Sequence, residues 1–250
     1  MNAIISPSQT LCYHCPLRTS GAFAEVTPQQ LDFIQSFKKR EVWGNAGDIV
    51  LREGQTIGQL HTLLSGWAFR FHTLSNGNRQ ILNFLFPGDL FGLQEQLSNG
   101  SPYGIELLTP ARMCAFSSDR LWDLYRQHPQ LGYDVTWLVA HEELIVDENL
   151  VSVGQRTAQQ RIAMLLVHLY KRAEQVGMKQ ADGWIPFPVN QQHMADALGL
   201  SLVHTNKTLR KLADMGMHEI AGNRLRLLKP DVLHRLADYY AAPLRRRPLI

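Results

Sequence analysis

Residues 190–215 constrain the fold of this chain most, because they carry the caps of two short helices and the turn between them. The side chain of Asn190 can accept from the free N–H groups of a first helix, and Ser201 can do so for a second helix that we expect to end near Met215. Gly199 suits the left-handed backbone of the turn. The apolar positions at helical spacing, which we expect to face inward, are Met194, Leu198, Leu200, Leu209 and Leu212.

A hairpin is predicted directly after these helices. Gly222-Asn223 is a tight-turn dipeptide between two strand-like runs, Met217–Ala221 and Leu225–Leu228. Ala195 is small where the second helix must cross the first closely. Helix, glycine turn, capped helix and hairpin predict a winged helix-turn-helix, whose second helix suits the major groove of DNA. The alternative is a three-helix packing module that never binds DNA.

The charge of the chain is unevenly distributed. Residues 151–250 contain 15 Lys and Arg against 7 Asp and Glu, a net charge of +8, whereas residues 1–150 contain 10 against 15, a net charge of −5. A basic half beside an acidic half is expected when only one domain meets phosphates. We expect Arg245, Arg246 and Arg247 to add to the basic half, although a basic tail is often only a solvated end.

Length and motifs exclude several classes of protein. At 250 residues, two domains are expected. No apolar run approaches the roughly 20 residues of a membrane span. The first thirty residues lack the layout of a signal peptide, so we expect a cytoplasmic protein. The chain has no P-loop, no dinucleotide-binding glycine motif and no motif that joins a cysteine, a histidine and an acid, and we therefore expect no enzyme.

Residues 41–118 alternate strand-like runs with glycine turns at intervals of about ten residues, which predicts an antiparallel β-roll or barrel. The strongest turn signals are Asn76-Gly77-Asn78 and Pro87-Gly88-Asp89. A short helix capped by Thr27, with Pro28 at its first position, should precede the roll.

Residues 119–152 form a long helical stretch, which Pro129 should divide into a short helix and a long one. Apolar residues recur in the long helix at heptad spacing. We expect this stripe to be the seam of a homodimer, because two-fold symmetry matches palindromic DNA sites; packing on the roll of the same chain is the alternative. The seam residues are Tyr133, Trp137, Ala140, Leu144, Asp147 and Val151, of which Asp147 interrupts the apolar pattern.

The sequence therefore predicts an α+β protein in three parts. Residues 1–118 form an N-terminal segment and a β-roll of the jelly-roll type, and residues 119–153 form the dimerisation helix, with a hinge near Gly154. Residues 154–250 form the winged helix-turn-helix domain. The stretch from Thr157 to Gln160 is a capping-box pattern that opens this last part.

The order of β-roll, long helix and winged helix-turn-helix resembles the Crp/Fnr superfamily of bacterial transcription regulators over about residues 12–235. The most specific matches are Pro87-Gly88-Asp89-Leu90-Phe91-Gly92, Gln160-Arg161-Ile162-Ala163 and the register of Ala195, Gly199 and Ser201. The resemblance implies a homodimer whose cyclic-nucleotide-binding-like roll is sensory and repositions two DNA-binding domains, so that RNA polymerase is recruited or blocked. An alternative of another class is a sensory or interaction protein that does not bind DNA.

By register, the resemblance assigns base reading to four positions, Leu202, Val203, Asn206 and Lys207. Related cyclic-AMP and oxygen regulators usually carry Glu at the position of Val203 and Arg at that of Lys207, so the half-site should differ from theirs. Leu202 or Val203 can pack on a thymine methyl group, Asn206 can bridge adenine, and Lys207 can donate to guanine. The other residues expected at the interface are Gln191, Ser201, His204, Thr205, Arg210, Lys211, Asn223 and Arg224.

Cyclic-nucleotide sensors of this superfamily carry a Gly-Glu pair in the roll and an Arg-Ser or Arg-Thr pair some ten residues later. The matching stretches here are Gly92-Leu93 and Pro102-Tyr103, so the glutamate and the arginine are both missing. Because a buried phosphate without a cation is costly, we expect no cyclic nucleotide.

Three cysteines, an odd number, do not make a disulfide framework. Cys12-x-x-Cys15 has a metal-ligand spacing, and Cys114 lies in a predicted strand. Oxygen sensors of the fumarate-nitrate reductase regulator type are similar, because three of their four [4Fe-4S] ligands match these cysteines. The missing ligand would fall near Gly21, which cannot ligate.

Several uses of the cysteines therefore stay open. His14 or an acidic residue could be the fourth ligand of an iron–sulfur cluster. The site could instead bind zinc or form a thiol–disulfide switch. With no cofactor at all, Cys12 and Cys15 would lie near a mobile end and Cys114 would be an ordinary buried strand cysteine. The signal would then be a small molecule in the altered roll, or the abundance of the protein alone.

Overall fold

The computed structural model describes residues 9–96, 100–239 and 246–250. These residues form two compact units. The first unit contains residues 9–72, 85–143 and 246–250, and the second contains residues 73–84 and 144–239. No helix in these ranges is both long and apolar enough to cross a membrane. The division into three parts remains a prediction, since the long helix contributes residues to both units.

Eight strands form the predicted β-roll, which confirms the α+β class. They are β1 (Lys38–Gly44), β2 (Ile49–Leu51), β3 (Gln59–Ser65), β4 (Ala68–Thr73), β5 (Arg79–Leu85), β6 (Leu90–Phe91), β7 (Gly104–Leu107) and β8 (Ala111–Ser117). Two four-stranded sheets have the orders β1-β8-β3-β6 and β2-β7-β4-β5. The turn signals at Asn76-Gly77-Asn78 and Pro87-Gly88-Asp89 fall between strands, as predicted.

The register of the first sheet places a row of four side chains on one face. Cys114 of β8 lies opposite Glu41 of β1 on one side and opposite Thr62 of β3 on the other. Thr62 in turn lies opposite Leu90 of β6. Directly opposed residues in antiparallel strands point to the same side of a sheet, so this row shares one layer.

Three helices accompany these strands. They are α1 (Pro28–Phe37), α2 (Leu121–Gln127) and α3 (Pro129–Gln155). Thr27 caps α1 by accepting from the backbone N–H of Gln30, whose side chain accepts from Thr27 in return, as in a capping box. Pro129 separates α2 from α3, as predicted. Gly154, where we expect a hinge, lies inside α3.

The second unit contains the winged helix-turn-helix. Its elements are α4 (Ala158–Gln175), β9 (Ile185–Pro186), α5 (Gln191–Leu198), α6 (Leu202–Asp214), β10 (His218–Ala221), β11 (Arg224–Leu227) and α7 (Pro230–Ala237). The strands form an antiparallel sheet of order β10-β11-β9. Thr157 and Gln160 exchange the reciprocal hydrogen bonds of a capping box at the start of α4, which confirms that prediction.

The predicted caps and turn of the helix-turn-helix are present. Asn190 accepts from the N–H of His193 at 2.8 Å, and Ser201 accepts from the N–H of His204 at 3.2 Å. Gly199 has a left-handed backbone, with φ of 60°. The predicted core positions Met194, Leu198, Leu209 and Leu212 are buried, and Leu200 is half-buried.

Gly199 and Gly222 offer a matched test of the turn, because both adopt positive φ, 60° and 55°. A Cβ at Gly199 would lie 3.3 Å from Cγ1 of Val153, whereas a Cβ at Gly222 would meet open space. We expect Gly222→Ala to cost about 1–2 kcal/mol for the left-handed backbone. Gly199→Ala should cost roughly 1 kcal/mol more for overpacking. Urea unfolding measures both, and equal losses would contradict the role of Val153.

Candidate nucleic-acid interface and thiol site

The start of α6 presents the side chains predicted to read bases. Val203 is 79% exposed, and Leu202, His204 and Lys207 are also exposed. Asn206 is half-buried. The N-cap at Ser201 fixes where the helix begins and therefore which side chains project first. The four exposed positions can approach a base edge without rearrangement, whereas Oδ1 of Asn206 is buried and has no hydrogen-bond partner among the described residues.

Further along α6, the exposed side chains are basic. Arg210 and Lys211 are exposed, as is Gln191 at the start of α5. Thr205 is fully buried, so the expectation that it contacts phosphate is wrong. It occupies the inner face of the helix, four residues before Leu209 of the core.

The wing carries a cation–aromatic cluster that the sequence did not predict. The ring of Trp184 lies 4.9 Å from the guanidinium carbons of both Arg224 and Arg226. Arg226 also donates to Glu219 at 2.8 Å. Asn223 adopts φ of 56° at the tip. The buried indole thus orients the exposed Arg224 beside the wing turn. Trp184 carries no local signal of this role, because β9 pairs with β11 only in the folded sheet.

One guanidinium holds the turn between α5 and α6. Arg161 of α4 donates from Nη1 to the carbonyl of Leu198 at 2.9 Å, and from Nε to the carbonyl of Arg156 at 2.9 Å. Leu198 is the last residue of α5, whose terminal carbonyls have no partner within the helix. The Gln160-Arg161 motif therefore ties the first turn of α4 to the end of α5.

The heptad stripe of α3 is exposed in the single chain. Tyr133 is 63% exposed, Leu144 is 66% exposed and Val151 is 49% exposed. Ala140 and Asp147 are exposed as well, and Trp137 is half-buried against His141, with ring centroids 4.9 Å apart. An exposed stripe of large apolar side chains, here interrupted by Asp147, is typical of an interaction surface.

Side chains of the protein occupy the part of the roll that corresponds to the cyclic-nucleotide stretches. The buried guanidinium of Arg70 lies 4.9 Å from the ring of Tyr103 and 3.9 Å from a carboxylate oxygen of Glu142. The hydroxyl of Tyr103 donates to Gln94 at 2.6 Å. Arg70 is thus already engaged by an acid and an aromatic ring. This arrangement does not fit a cyclic phosphate, which requires a cation free to receive it.

Cys12, Cys15 and Cys114 are buried free thiols, and the guanidinium of Arg18 interacts electrostatically with all three. Cys12 begins a single 3₁₀ turn, and the N–H of Cys15 donates to its carbonyl at 3.3 Å. The N–H of Cys12 also donates to the side chain of Gln35 at 2.6 Å. The two N-terminal thiols are therefore held in the fold and do not lie in a mobile end.

Two cations, the half-buried Arg18 and the buried Lys38, lie close enough to influence these thiols. Burial raises the pKa of Cys12, and it raises the pKa of Cys114 to about 12; Lys38 partly opposes both shifts. Burial is the largest single influence on the pKa of Lys38 and lowers it, but the 2.7 Å hydrogen bond to Glu41 and the charges of Cys114, Glu41 and Cys12 together raise that pKa. All three thiols oppose the burial that lowers the pKa of Arg18. At neutral pH, Cys12 and Cys114 are protonated.

The thiol site does not fit a four-ligand iron–sulfur cluster. Within the part of the chain that the structure describes, no three Cys, His, Asp or Glu side chains converge as metal ligands. Gly21 offers no side chain, and His14 is exposed. Glu41 is fully buried but is bound to the ammonium group of Lys38. A fourth ligand is therefore missing from the arrangement.

The basic tail is only partly solvated. Arg246 is exposed, whereas Arg247 is 2% exposed and donates to Asp89 at 2.7 Å. Arg247 is therefore not available to phosphates, contrary to expectation. Arg245 lies outside the described residues.

Two family models match the chain. The model of the cyclic nucleotide-binding domain matches residues 42–128, and that of the Crp-like helix-turn-helix domain matches residues 160–236. These ranges coincide with the roll and with the winged helix-turn-helix.

Similar proteins span nearly the same length. The nitrogen fixation regulation protein FixK of Bradyrhizobium diazoefficiens is 26% identical over 234 residues, covering 94% of this chain and 97% of its own. The transcriptional activator protein FnrL of Cereibacter sphaeroides is 24% identical, covering 85% and 86%. The structure of FixK2 from Bradyrhizobium japonicum has the same fold, with a TM-score of 0.72, 22% identity and coverage of 82% and 99%.

These relatives are regulators and not enzymes, as the missing catalytic motifs predict. A roll and a Crp-like helix-turn-helix in one chain, matched from end to end by such regulators, identify its family. The chain belongs to the Crp/Fnr family of DNA-binding transcription regulators.

Proposed function

We propose that this protein is a homodimeric, sequence-specific transcription activator that binds a palindromic operator through α6 and responds to redox state through its N-terminal thiols, Cys12 and Cys15. The observation that carries DNA reading is the exposed start of α6, where Val203 and Lys207 project, together with the exposed wing arginine, Arg224. The activator role follows from the relative FnrL, which is named a transcriptional activator protein. Such a protein works with RNA polymerase in the compartment that holds the DNA, the cytoplasm.

We assign base contacts and phosphate contacts within the interface from the chemistry of each side chain. Leu202 and Val203 offer apolar contact to thymine methyl groups, and Lys207 offers a point donor to guanine. Asn206 suits adenine. Backbone contacts fall to the remaining predicted positions, which are Gln191, Ser201, His204, Arg210, Lys211, Asn223 and Arg224. Because this chain lacks the Glu and Arg of related regulators, its DNA half-site should favour thymine where theirs requires cytosine.

We assign the dimer seam to the exposed stripe of α3. Its exposed members are large and apolar at heptad spacing, which suits parallel pairing of two copies of the same helix. Pairing would place two α6 helices in successive major grooves about 34 Å apart on the DNA. The binding energies at the two half-sites would then add, whereas a single helix-turn-helix would have only one of them.

We assign the redox response to Cys12 and Cys15, because one 3₁₀ turn holds both. Residues at this spacing in a turn have Cα atoms within about 7 Å, close to the separation that a disulfide requires. A peroxide would take two electrons and two protons from the two thiols, forming one S–S bond and two water molecules. An iron–sulfur cluster is the competing signal group, and the present ligand arrangement does not favour it.

Lys207→Ala should weaken binding to the specific operator by about 1–3 kcal/mol and largely spare binding to scrambled DNA, because its role is a base contact. Arg210→Ala is the control, since it also removes one exposed cation from α6. It should weaken both kinds of binding similarly and reduce the salt slope by about 1. The operator comes from selection on random oligonucleotides. Equal losses on both DNAs for Lys207→Ala would refute base reading, and failure to select any site would refute the proposed function.

Leu144→Glu should dissociate the dimer, because each seam would then bury two carboxylates without partners. We expect a loss of at least about 3 kcal/mol of association free energy, measured by sedimentation equilibrium. Val139→Glu is the matched control, because Val139 is an exposed apolar residue of the same helix about a third of a turn from the stripe. Equal dissociation by both variants, or by neither, would contradict this seam.

Stoichiometric peroxide should remove two free thiols per chain and change operator affinity by about 5- to 150-fold, the usual range of allosteric coupling. Cys15→Ser should abolish both effects, whereas Cys114→Ser should keep them. Thiol titration and fluorescence anisotropy measure the two. A broad visible absorption band, with bound iron and sulfide, in anaerobically purified protein would show that the signal group is an iron–sulfur cluster and not the disulfide. Unchanged affinity after oxidation would exclude redox control.

A further inference from the structure

The C-terminal strap, residues 246–250, is integrated into the first unit. Arg247 forms a parallel bridge with Phe23: its N–H donates to the carbonyl of Ala22 at 3.0 Å, and its carbonyl accepts from Ala24 at 2.7 Å. Leu249 and Ile250 are buried. The strap thus pairs with the same N-terminal segment that carries Cys12 and Cys15.

A buried ion pair anchors the strap to the Pro87-Gly88-Asp89 turn. Nη2 of Arg247 donates to Oδ1 of Asp89 at 2.7 Å, and Oδ2 of Asp89 accepts from the N–H of Phe86 at 2.7 Å. The two side chains are 2% and 0% exposed. Nε and Nη1 of Arg247 have no hydrogen-bond partner among the described residues. Burial of this guanidinium is therefore only partly compensated, so the anchor can be released more readily than a fully satisfied one.

Two further contacts join the strap to the thiol site. The hydroxyl of Thr62 donates to the main-chain oxygen of Ile250 at 2.9 Å, and Thr62 lies directly opposite Cys114 in the sheet. Nη2 of Arg18 donates to the carbonyl of Leu249 at 3.1 Å. The same Arg18 guanidinium interacts electrostatically with all three thiols. One cation is thus shared between the strap and the cysteines.

We propose that residues 246–250 are a built-in strap that closes over the thiol site, so that Cys114 and its neighbours react only when the Arg247–Asp89 anchor opens. The inference rests on the thiol signal of the proposed function and adds a regulator to it. The buried, protonated thiols of Cys12 and Cys114 are poor nucleophiles while the strap is closed.

Alkylation of the reduced, full-length protein tests this directly. Iodoacetamide labelling is followed for each cysteine by mass spectrometry. Arg247→Met should accelerate labelling of Cys114 on the order of 100-fold, because it leaves a buried carboxylate without its cation. Arg246→Met is the matched control: the neighbouring arginine loses the same charge from an exposed pair with Glu25 and should change nothing.

A second pair of measurements separates strap opening from loss of folding. Local opening makes the labelling rate nearly independent of low urea concentrations, whereas global unfolding makes it rise steeply with urea. In a chain that lacks residues 246–250, a synthetic peptide of residues 244–250 should restore protection of Cys114. The same peptide with Met in place of Arg247 should not.

The outcomes distinguish failure of the strap from failure of the proposed redox signal. Labelling rates equal to wild type in Arg247→Met, equal acceleration by Arg246→Met, or a steep urea dependence would each overturn the strap. If the strap variants label fast while oxidation leaves operator affinity unchanged, the strap stands and the redox signal of the proposed function fails. If oxidation changes affinity and strap variants label at the wild-type rate, the redox signal stands and the strap fails.

Discussion

The interface of the second unit depends on the hydrogen bonds of one guanidinium, that of Arg161. By accepting from Arg161, the last carbonyl of α5 is satisfied at the point where Gly199 turns the chain into α6. A helix end buried without such a partner would be costly. The direction of α6, and with it the positions of Val203 and Lys207, therefore follows from a residue that never needs to touch DNA. Arginine suits this role because its fork reaches two carbonyls at once.

Local chemistry made this part of the fold predictable. Asn190, Ser201, Thr27 and Thr157 act as caps through backbone N–H groups only two or three residues away, so their signals are complete within a short window of sequence. The glycine turns behave likewise. By contrast, the Trp184 cluster depends on which elements pack together. At Thr205 the polar side chain favoured an exposed position, although the spacing of four residues to Leu209 places it on the inner face of the helix.

Only the cysteines of the thiol site could be predicted from the sequence, because only they carry a local signal. The spacing of Cys12 and Cys15 is a local signal, but Lys38 and Glu41 approach Cys114 only through the register of β1 and β8. The strap lies further still from any local signal, since Arg247 and Asp89 are separated by 158 residues. A run of three arginines carries the same charge whether it is solvated or partly buried. Only the presence of Asp89 in a dry turn separates Arg247 from its exposed neighbour Arg246.

The two candidate signal sites in the first unit, the roll interior and the thiol site, differ in how readily they accept negative charge. In the roll interior, Arg70 has an acid and an aromatic ring as partners, so an anion arriving there is repelled by Glu142 and competes with it for the guanidinium. At the thiol site, one nitrogen of Arg18 donates to a main-chain carbonyl, and its Nε and Nη1 have no partner among the described residues. Any negative charge that develops on a neighbouring sulfur is a better acceptor than the Leu249 carbonyl, because charge-assisted hydrogen bonds are roughly twice as strong. The unpartnered nitrogens of Arg18 can therefore stabilise negative charge on a neighbouring sulfur, so we expect the thiol site to oppose a change of charge less than the roll interior does.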